Sequence, residues 1–204
     1  NFPAILNVWF GGCESGDAIC DVLFGDKVPS GKLTATMPKS VGQIPLYYNH
    51  LNTGRPLKEG KWFSKFTSNY LDIDNDPLYP FGYGLSYTTF KYGKPTLSSN
   101  TMTNNETISV SVDITNTGNY DADEIAQMYI RDLAASVSRP VKELKGFERI
   151  SIKKGETKTV TFTITPEDLK FYNQELEYKN EPGEFEVMVG PNSKDVQTLT
   201  FTLK

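Results

Sequence analysis

From about Lys94 onward, apolar and polar residues alternate. Ile108, Val110, Val112 and Ile114 are separated by Ser109, Ser111 and Asp113. The segments "EIAQMYIRD" (124–132), "TVTFTIT" (159–165), "GEFEVMVG" (183–190) and "QTLTFTL" (197–203) repeat this period of two. A period of two puts successive side chains on opposite faces of a strand, one face for a core and one for water. The strings "NTGNYDAD", "KKGET", "EPGE" and "GPNSKD" punctuate the runs with turn residues. Short alternating strands at regular spacing predict an antiparallel β-sandwich over 95–204. Within it "PEDLKFYN" (166–173) predicts one helical turn, with Pro166 early and Asp168 near the positive end of its dipole.

The first residues have a different texture. Residues 3–10, "PAILNVWF", form a continuous apolar run, the pattern of a strand buried on both faces. "GGCESGD" (11–17) predicts a tight turn in which Ser15 or Asp17 caps a following helix. Ala18, Ile19, Val22 and Leu23 fall at helical spacing, and Gly25 is the stop. Strand, glycine turn and helix together predict the edge of an α/β unit. Such a strand needs neighbours, so the chain is expected to be a piece of a longer one.

Between these regions, residues 27–95 read as a long ordered excursion without a core of its own. Pro29, Gly31, Pro38, Gly42 and Pro45 allow at most one short strand, Lys32 to Thr36. Excursions of this length are usually functional or wrapped over another surface. "DPLYPFGYGLSYTTFKY" (76–92) gathers six aromatic rings around prolines and glycines, too irregular for a strand or a helix. Phe81, Tyr83 and Tyr87 are expected to bury where this segment meets its neighbours.

Composition narrows the function. The 204 residues are 38% hydrophobic and 23% charged, which is ordinary for a globular protein and argues against a disordered chain. The net charge of −4 comes from interspersed acids and bases, with no basic face to track a phosphate backbone. No apolar run approaches the roughly 18 residues that span a bilayer. Cys13 and Cys20 are the only cysteines. A helix between them would hold their Cα atoms roughly 10 Å apart, beyond disulfide reach, so free thiols are expected.

No constellation of reactive side chains forms a convincing catalytic set. His50, the only histidine, sits in a punctuated loop with no nucleophile elbow nearby. "DIDND" (72–76) begins like a calcium loop, but Pro77 and Tyr83 occupy the glycine and glutamate positions, so it reads as a solvated acidic turn. "FGGCESG" has the glycines of a phosphate loop but neither its spacing nor its lysine. No metal or cofactor is called for. Glycosidic cleavage needs two carboxylates roughly 5–10 Å apart. Glu14, Asp17 and Asp21 are the acids near the first helix, and Asp17 and Asp21 are explained by the helix dipole. Glu14, in the glycine turn, could face a ligand crevice. Trp9 and Trp62 are the aromatic candidates for contact with a sugar ring.

These motifs together resemble glycoside hydrolase family 3 over essentially the whole chain. "AILNVWFGGCESGDAICDVLFGDKVPSGKLTATMPKSVGQIPLYYNH" resembles the last strand–helix unit of that family's α/β-sandwich domain. "LNTGRP", "LYPFGYGLSYTTF" and "SRPVKELKGFERISIKKGET" resemble the segments that follow it, most like periplasmic β-glucosidases of Gram-negative bacteria. The resemblance implies a mainly β fold: a fibronectin type III-like (immunoglobulin-like) sandwich at 95–204, a linker at 51–94, and an α/β-sandwich remnant at 1–50. It implies hydrolysis of β-linked glucosides or xylosides with retention. It also implies that both reacting acids, an Asp and a Glu, lie outside this chain, which is then a structural brace lining part of the pocket. Glu14 matches the acid of the family's W-x-x-G-x-E-x-G turn; Cys13 departs from the usual residue beside it. The implied substrate-binding residues are Trp9, Glu14 and Trp62, with no catalytic residue here and no cofactor. The implied partners are a β-linked glucoside or oligosaccharide, the N-terminal catalytic domains and a second copy of the chain, in a periplasmic or secreted setting. The alternative is a stand-alone carbohydrate-binding or adhesive β-sandwich module.

Overall fold

The computed structural model describes residues 2–57, 61 and 63–204. Among these described residues there are one α-helix, α1 (Ser15–Phe24), and eleven strands: β1 (Phe90–Tyr92), β2 (Thr96–Leu97), β3 (Thr101–Met102), β4 (Ile108–Asn116), β5 (Ala122–Asp132), β6 (Glu143–Ile152), β7 (Thr157–Ile164), β8 (Phe171–Tyr172), β9 (Tyr178–Lys179), β10 (Gly183–Gly190) and β11 (Gln197–Leu203).

The alternating runs form the sandwich. In one sheet β4 pairs with β1 and β2 along one edge and with β7 along the other. The facing sheet runs β3-β11-β10-β5-β6, antiparallel except for the β11–β3 pair. Val110, Val112 and Ile114 of β4 and Val160, Phe162 and Ile164 of β7 project into the core. They meet Ala126, Met128 and Ile130 of β5, Phe185 and Val187 of β10, and Phe201 of β11. Phe185 and Phe201 stack with centroids 5.4 Å apart. The outer face of the first sheet is a ladder of hydroxyl pairs such as Ser111–Thr161 and Thr115–Thr157, both 2.8 Å. The predicted turn at 166–173 is a short 3-10 helix, Pro166–Leu169. Asp168 Oδ2 accepts from the backbone N and hydroxyl of Thr165, at 2.8 and 2.7 Å, which closes a capping box.

Strand β6, "ELKGFERISI", was not expected. Lys145, Gly146, Glu148 and Arg149 break its alternation, because it is the edge of its sheet and half of it faces water. Strand β5 departs from alternation in the opposite way. Residues 126–130 are all buried, because the excursion covers the outer face at Gln127 and Tyr129.

Two expected strands are absent. Residues 3–10 are exposed and form no ladder. An apolar strand needs a neighbour for its backbone groups, and among the described residues none lies beside this run. Lys32 to Thr36 make only scattered pairings: Leu33 N donates to Tyr83 O (2.8 Å), and Met37 bridges Tyr79. The prolines and glycines on both sides prevent a longer ladder. Helix α1 forms where predicted and ends at Gly25 with φ +89°, a left-handed C-cap. Its N-cap is Glu14 rather than Ser15 or Asp17, and no side chain caps it.

Candidate functional site

The glycine turn at 11–14 joins the apolar run to α1. Ser15 N donates to Gly12 O (3.1 Å) and Ala18 N to Glu14 O (3.1 Å). A Cβ on Gly11 would lie 2.3 Å from Ser15 Cβ, so only glycine fits there. The turn opens a groove of about 520 Å³ between Leu6 and Val8 on one side and Ala18, Ile19 and Val22 on the other, with Glu14 at its end. The groove is therefore an apolar slot with one carboxylate. Helix α1 has no buried residue, although its apolar side chains line this slot.

Glu14 lines the slot, and Trp9 lies two residues before the glycine turn and outside the slot's lining. Trp9 is 55% exposed, has φ +48°, and donates its backbone N to Asn7 Oδ1 (3.1 Å). Positive φ is uncommon for a bulky side chain and marks a sharp local turn. Glu14 is exposed. Trp62 lies outside the described residues. His50 is exposed, with its Nδ1 3.0 Å from Leu51 O. Cys13 and Cys20 are exposed free thiols, as their spacing predicts. Among the described residues no group of three or more His, Cys, Asp or Glu side chains could hold a metal ion.

A second constellation ties the excursion to the sandwich, and it is the more elaborate one. Gln127 and Tyr129, on the outer face of β5, are buried. Tyr129 OH donates to Gln127 Oε1 (2.5 Å), while Gln127 Nε2 donates to Gly82 O (3.1 Å) and Pro191 O (2.6 Å). Tyr48 stacks on Phe81 at 4.3 Å and meets the edge of Tyr129 at 5.8 Å. Burial pushes the Tyr129 hydroxyl above the ordinary tyrosine range, with a smaller push from Tyr48. At the rim, Lys32 Nζ donates to both oxygens of Glu124 (3.3 and 3.1 Å), and Tyr92 OH donates to Glu124 Oε1 (2.8 Å). Glu124 is 3% exposed, so its charge is held by partners rather than by water. The Tyr92 hydroxyl lies far above its usual range, first through desolvation, then through the charge of Glu124 and the bond to it. Thr88 Oγ1 donates to Asn116 Oδ1 (2.6 Å), and the Asn116 amide donates to Tyr120 O and Ile152 O.

The acidic turn at 72–76 belongs to the same fastening. Gln43 is fully buried and binds on both sides of its amide. Its Oε1 accepts from Lys39 N (2.7 Å), and its Nε2 donates to Asp74 O (3.0 Å) and Asp76 O (3.1 Å). Lys39 pairs with Asp74 at 2.6 Å and Lys194 with Asp76 at 2.8 Å. The hydrogen bond from Lys39 holds the Asp74 carboxyl below the usual carboxylate range. These polar fasteners have no sequence signature. Glutamine, threonine and glutamate at those positions look like surface residues until the partner segment is in place.

Residues 1–87 match the glycosyl hydrolase family 3 C-terminal domain, and residues 124–193 match a fibronectin type III-like domain. The chain is 56% identical over 200 residues to a periplasmic beta-glucosidase of Salmonella typhimurium, covering 98% of this chain and 26% of that protein. It is 47% identical over 206 residues to a beta-xylosidase of Formosa agariphila, covering 100% of this chain and 27% of that protein. Among solved structures it is similar to beta-glucosidase from Listeria innocua in complex with gluconolactone. That likeness has a TM-score of 0.90 at 45% identity and covers 97% of this chain and 27% of the other. The chain thus spans about a quarter of the length of the curated relatives it matches.

Proposed function

Because this chain belongs to glycoside hydrolase family 3, as the C-terminal part of such a protein, we propose that it braces the catalytic part of a retaining β-glycosidase. The β-glucosidase reading is favoured, with β-xylosidase second. The domains proposed are an α/β-sandwich remnant at 1–50, a linker at 51–94 and a fibronectin type III-like sandwich at 95–204. The observation that carries this reading is the unburied helix α1 beside an open apolar slot. A helix with an apolar stripe is stable when another layer covers it. In proteins of the relatives' length, that layer would come from the same polypeptide. The slot holds one carboxylate, Glu14, so it does not supply the pair that glycosidic cleavage needs. Glu14, in the lining of the slot, and Trp9, just before the glycine turn, form part of the pocket wall in this reading, and Trp62 is a further sugar contact. The parent acts on terminal β-linked sugars in the periplasm or outside the cell, by analogy with the Salmonella relative.

The test is a graft. This chain replaces the matching C-terminal part of the Salmonella enzyme, and hydrolysis of an aryl β-glucoside is measured. The chimera is expected to keep kcat/KM within about tenfold of the parent. The 204-residue chain alone is expected to be silent toward aryl β-glucosides and β-xylosides. Turnover by the pure chain, or a folded but inactive chimera, would overturn the proposal.

A further inference from the structure

The connection from β5 to β6 leaves the sandwich and folds back on the excursion. Val141 N donates to His50 O (2.9 Å) and Asn52 N to Arg139 O (3.4 Å). Between them lies an open cleft of about 350 Å³, lined by Asn52, Gly54 and residues 131–139. Its size falls in the range of small-molecule sites.

The wall of this cleft is fastened from behind. The Ser136 backbone N and hydroxyl donate to Glu181 at 2.9 and 2.6 Å, and Gln174 Nε2 donates to Ser136 O (3.2 Å). Asp132 Oδ1 accepts from Ala134 N (3.1 Å). Arg139 pairs with Glu143 at 2.7 Å, and its guanidinium lies 4.4 Å over the Phe171 ring. A loop held this way is preorganised, so a ligand need not order it.

The polar groups of the cleft are nonetheless unfinished. Arg139 Nε is buried without a hydrogen-bond partner, and a buried donor left unpaired calls for an explanation. Arg131 reaches Glu186 only at 3.5 Å, the outer limit of a hydrogen bond. Asp132 is half withdrawn from water, and that burial raises its carboxyl above the usual range. The lining holds two guanidinium groups and one carboxylate, Arg131, Arg139 and Asp132, and each arginine already has a carboxylate partner beside the cleft, Glu186 and Glu143. An anion would meet Asp132, and a cation would meet two arginines. A neutral polyol satisfies both, because each hydroxyl donates to a carboxylate and accepts from a guanidinium.

We propose that this cleft is a binding site for a neutral saccharide of one or two rings, with Asp132 and Arg131 as its main polar contacts. The inference does not rest on the bracing role: a silent chain can bind sugar, and an active chimera can lack this site. The test is an amide NMR titration of the 204-residue chain with glucose, xylose, cellobiose and laminaribiose. Concentrations up to about 50 mM reveal a millimolar Kd. Saturable shifts are expected at Asn52, Gly54 and the amides of 131–139, and none there with acetate. Asp132→Asn keeps an oxygen for Ala134 N and is expected to weaken binding at least about tenfold, as is Arg131→Gln. The wild-type titration decides even if a variant fails to fold. Absence of shifts at those amides, shifts confined to another face, a response to acetate instead, or folded variants that bind like wild type would each overturn the proposal.

Discussion

Lys32 and Glu124 come from segments 92 residues apart and close the rim of the core together. Removing one member of a buried ion pair leaves the other uncompensated, a cost of about 3 kcal/mol or more. Lys32→Met is therefore expected to lower the urea-unfolding free energy by about 3 kcal/mol, and adding Glu124→Gln should recover part of it. A loss below about 1 kcal/mol would mean that water already screens the pair. Gly82 sits at the same seam with φ +79°, and a Cβ there would lie 2.0 Å from Gln127 Oε1. Gly82→Ala is expected to cost about 2 kcal/mol or more, since it combines left-handed strain with loss of the Gln127 bond. Of the rings expected in this seam, Phe81 and Tyr83 are half-buried, Phe81 against Tyr48 and Tyr83 stacked on Tyr79 at 5.3 Å. Tyr87 stays 45% exposed and instead sends its hydroxyl to Val22 O (2.5 Å). The aromatic content of 76–92 was legible as an anchor. Which ring faces in depends on the opposing side chains, and local sequence does not encode them.

Among the elements, those with a two-sided environment were the readable ones. Strands β4, β7 and β11 each set a core face against a more exposed one, so alternation finds them; β10 keeps that contrast only at its start, because Met188 is buried on its outer face. Strand β6 at an edge, and the two- and three-residue strands β1, β2 and β3, lack that contrast. The run at 3–10 had the composition of a strand without the neighbour a strand needs. On the core face of β4, Ile114 is fully buried. Ile114→Ala is expected to cost about 3 kcal/mol, and Ile114→Val about 1 kcal/mol, by urea unfolding. Tyr92 on β1 gives its element a pH dependence. Its hydroxyl stays neutral in the fold at a pH where tyrosines of an unfolded chain, with pKa about 10, ionise. Above that value the unfolded state binds fewer protons, so stability is full below about pH 10 and falls as pH rises. Tyr92→Phe should flatten the decline in urea midpoint above about pH 10; an unchanged slope would assign the decline to other groups.

At the scale of the molecule, two surfaces have opposite character. The outer face of β4 and β7 presents a ladder of hydroxyls to water, whereas residues 2–24 present Phe2, Ile5, Phe10, Leu23 and Phe24, each more than 60% exposed. Contiguous apolar surface of this kind is associated with interfaces in proteins that remain soluble. If α1 and the apolar slot are built to meet another layer, the isolated chain will look for a substitute, and a second copy offers the same slot in self-complementary form. Association is thus expected to rise with concentration in sedimentation velocity. Ile5→Asp with Phe24→Ser should return the chain to a monomer while leaving the sandwich's unfolding unchanged, since neither residue contacts that core. In the graft proposed above, the same two substitutions should instead lower thermal stability and turnover together, because the slot would then face a domain of its own polypeptide. A chain that stays monomeric at about 100 μM, together with a chimera indifferent to both substitutions, would leave the apolar surface without a partner in either setting.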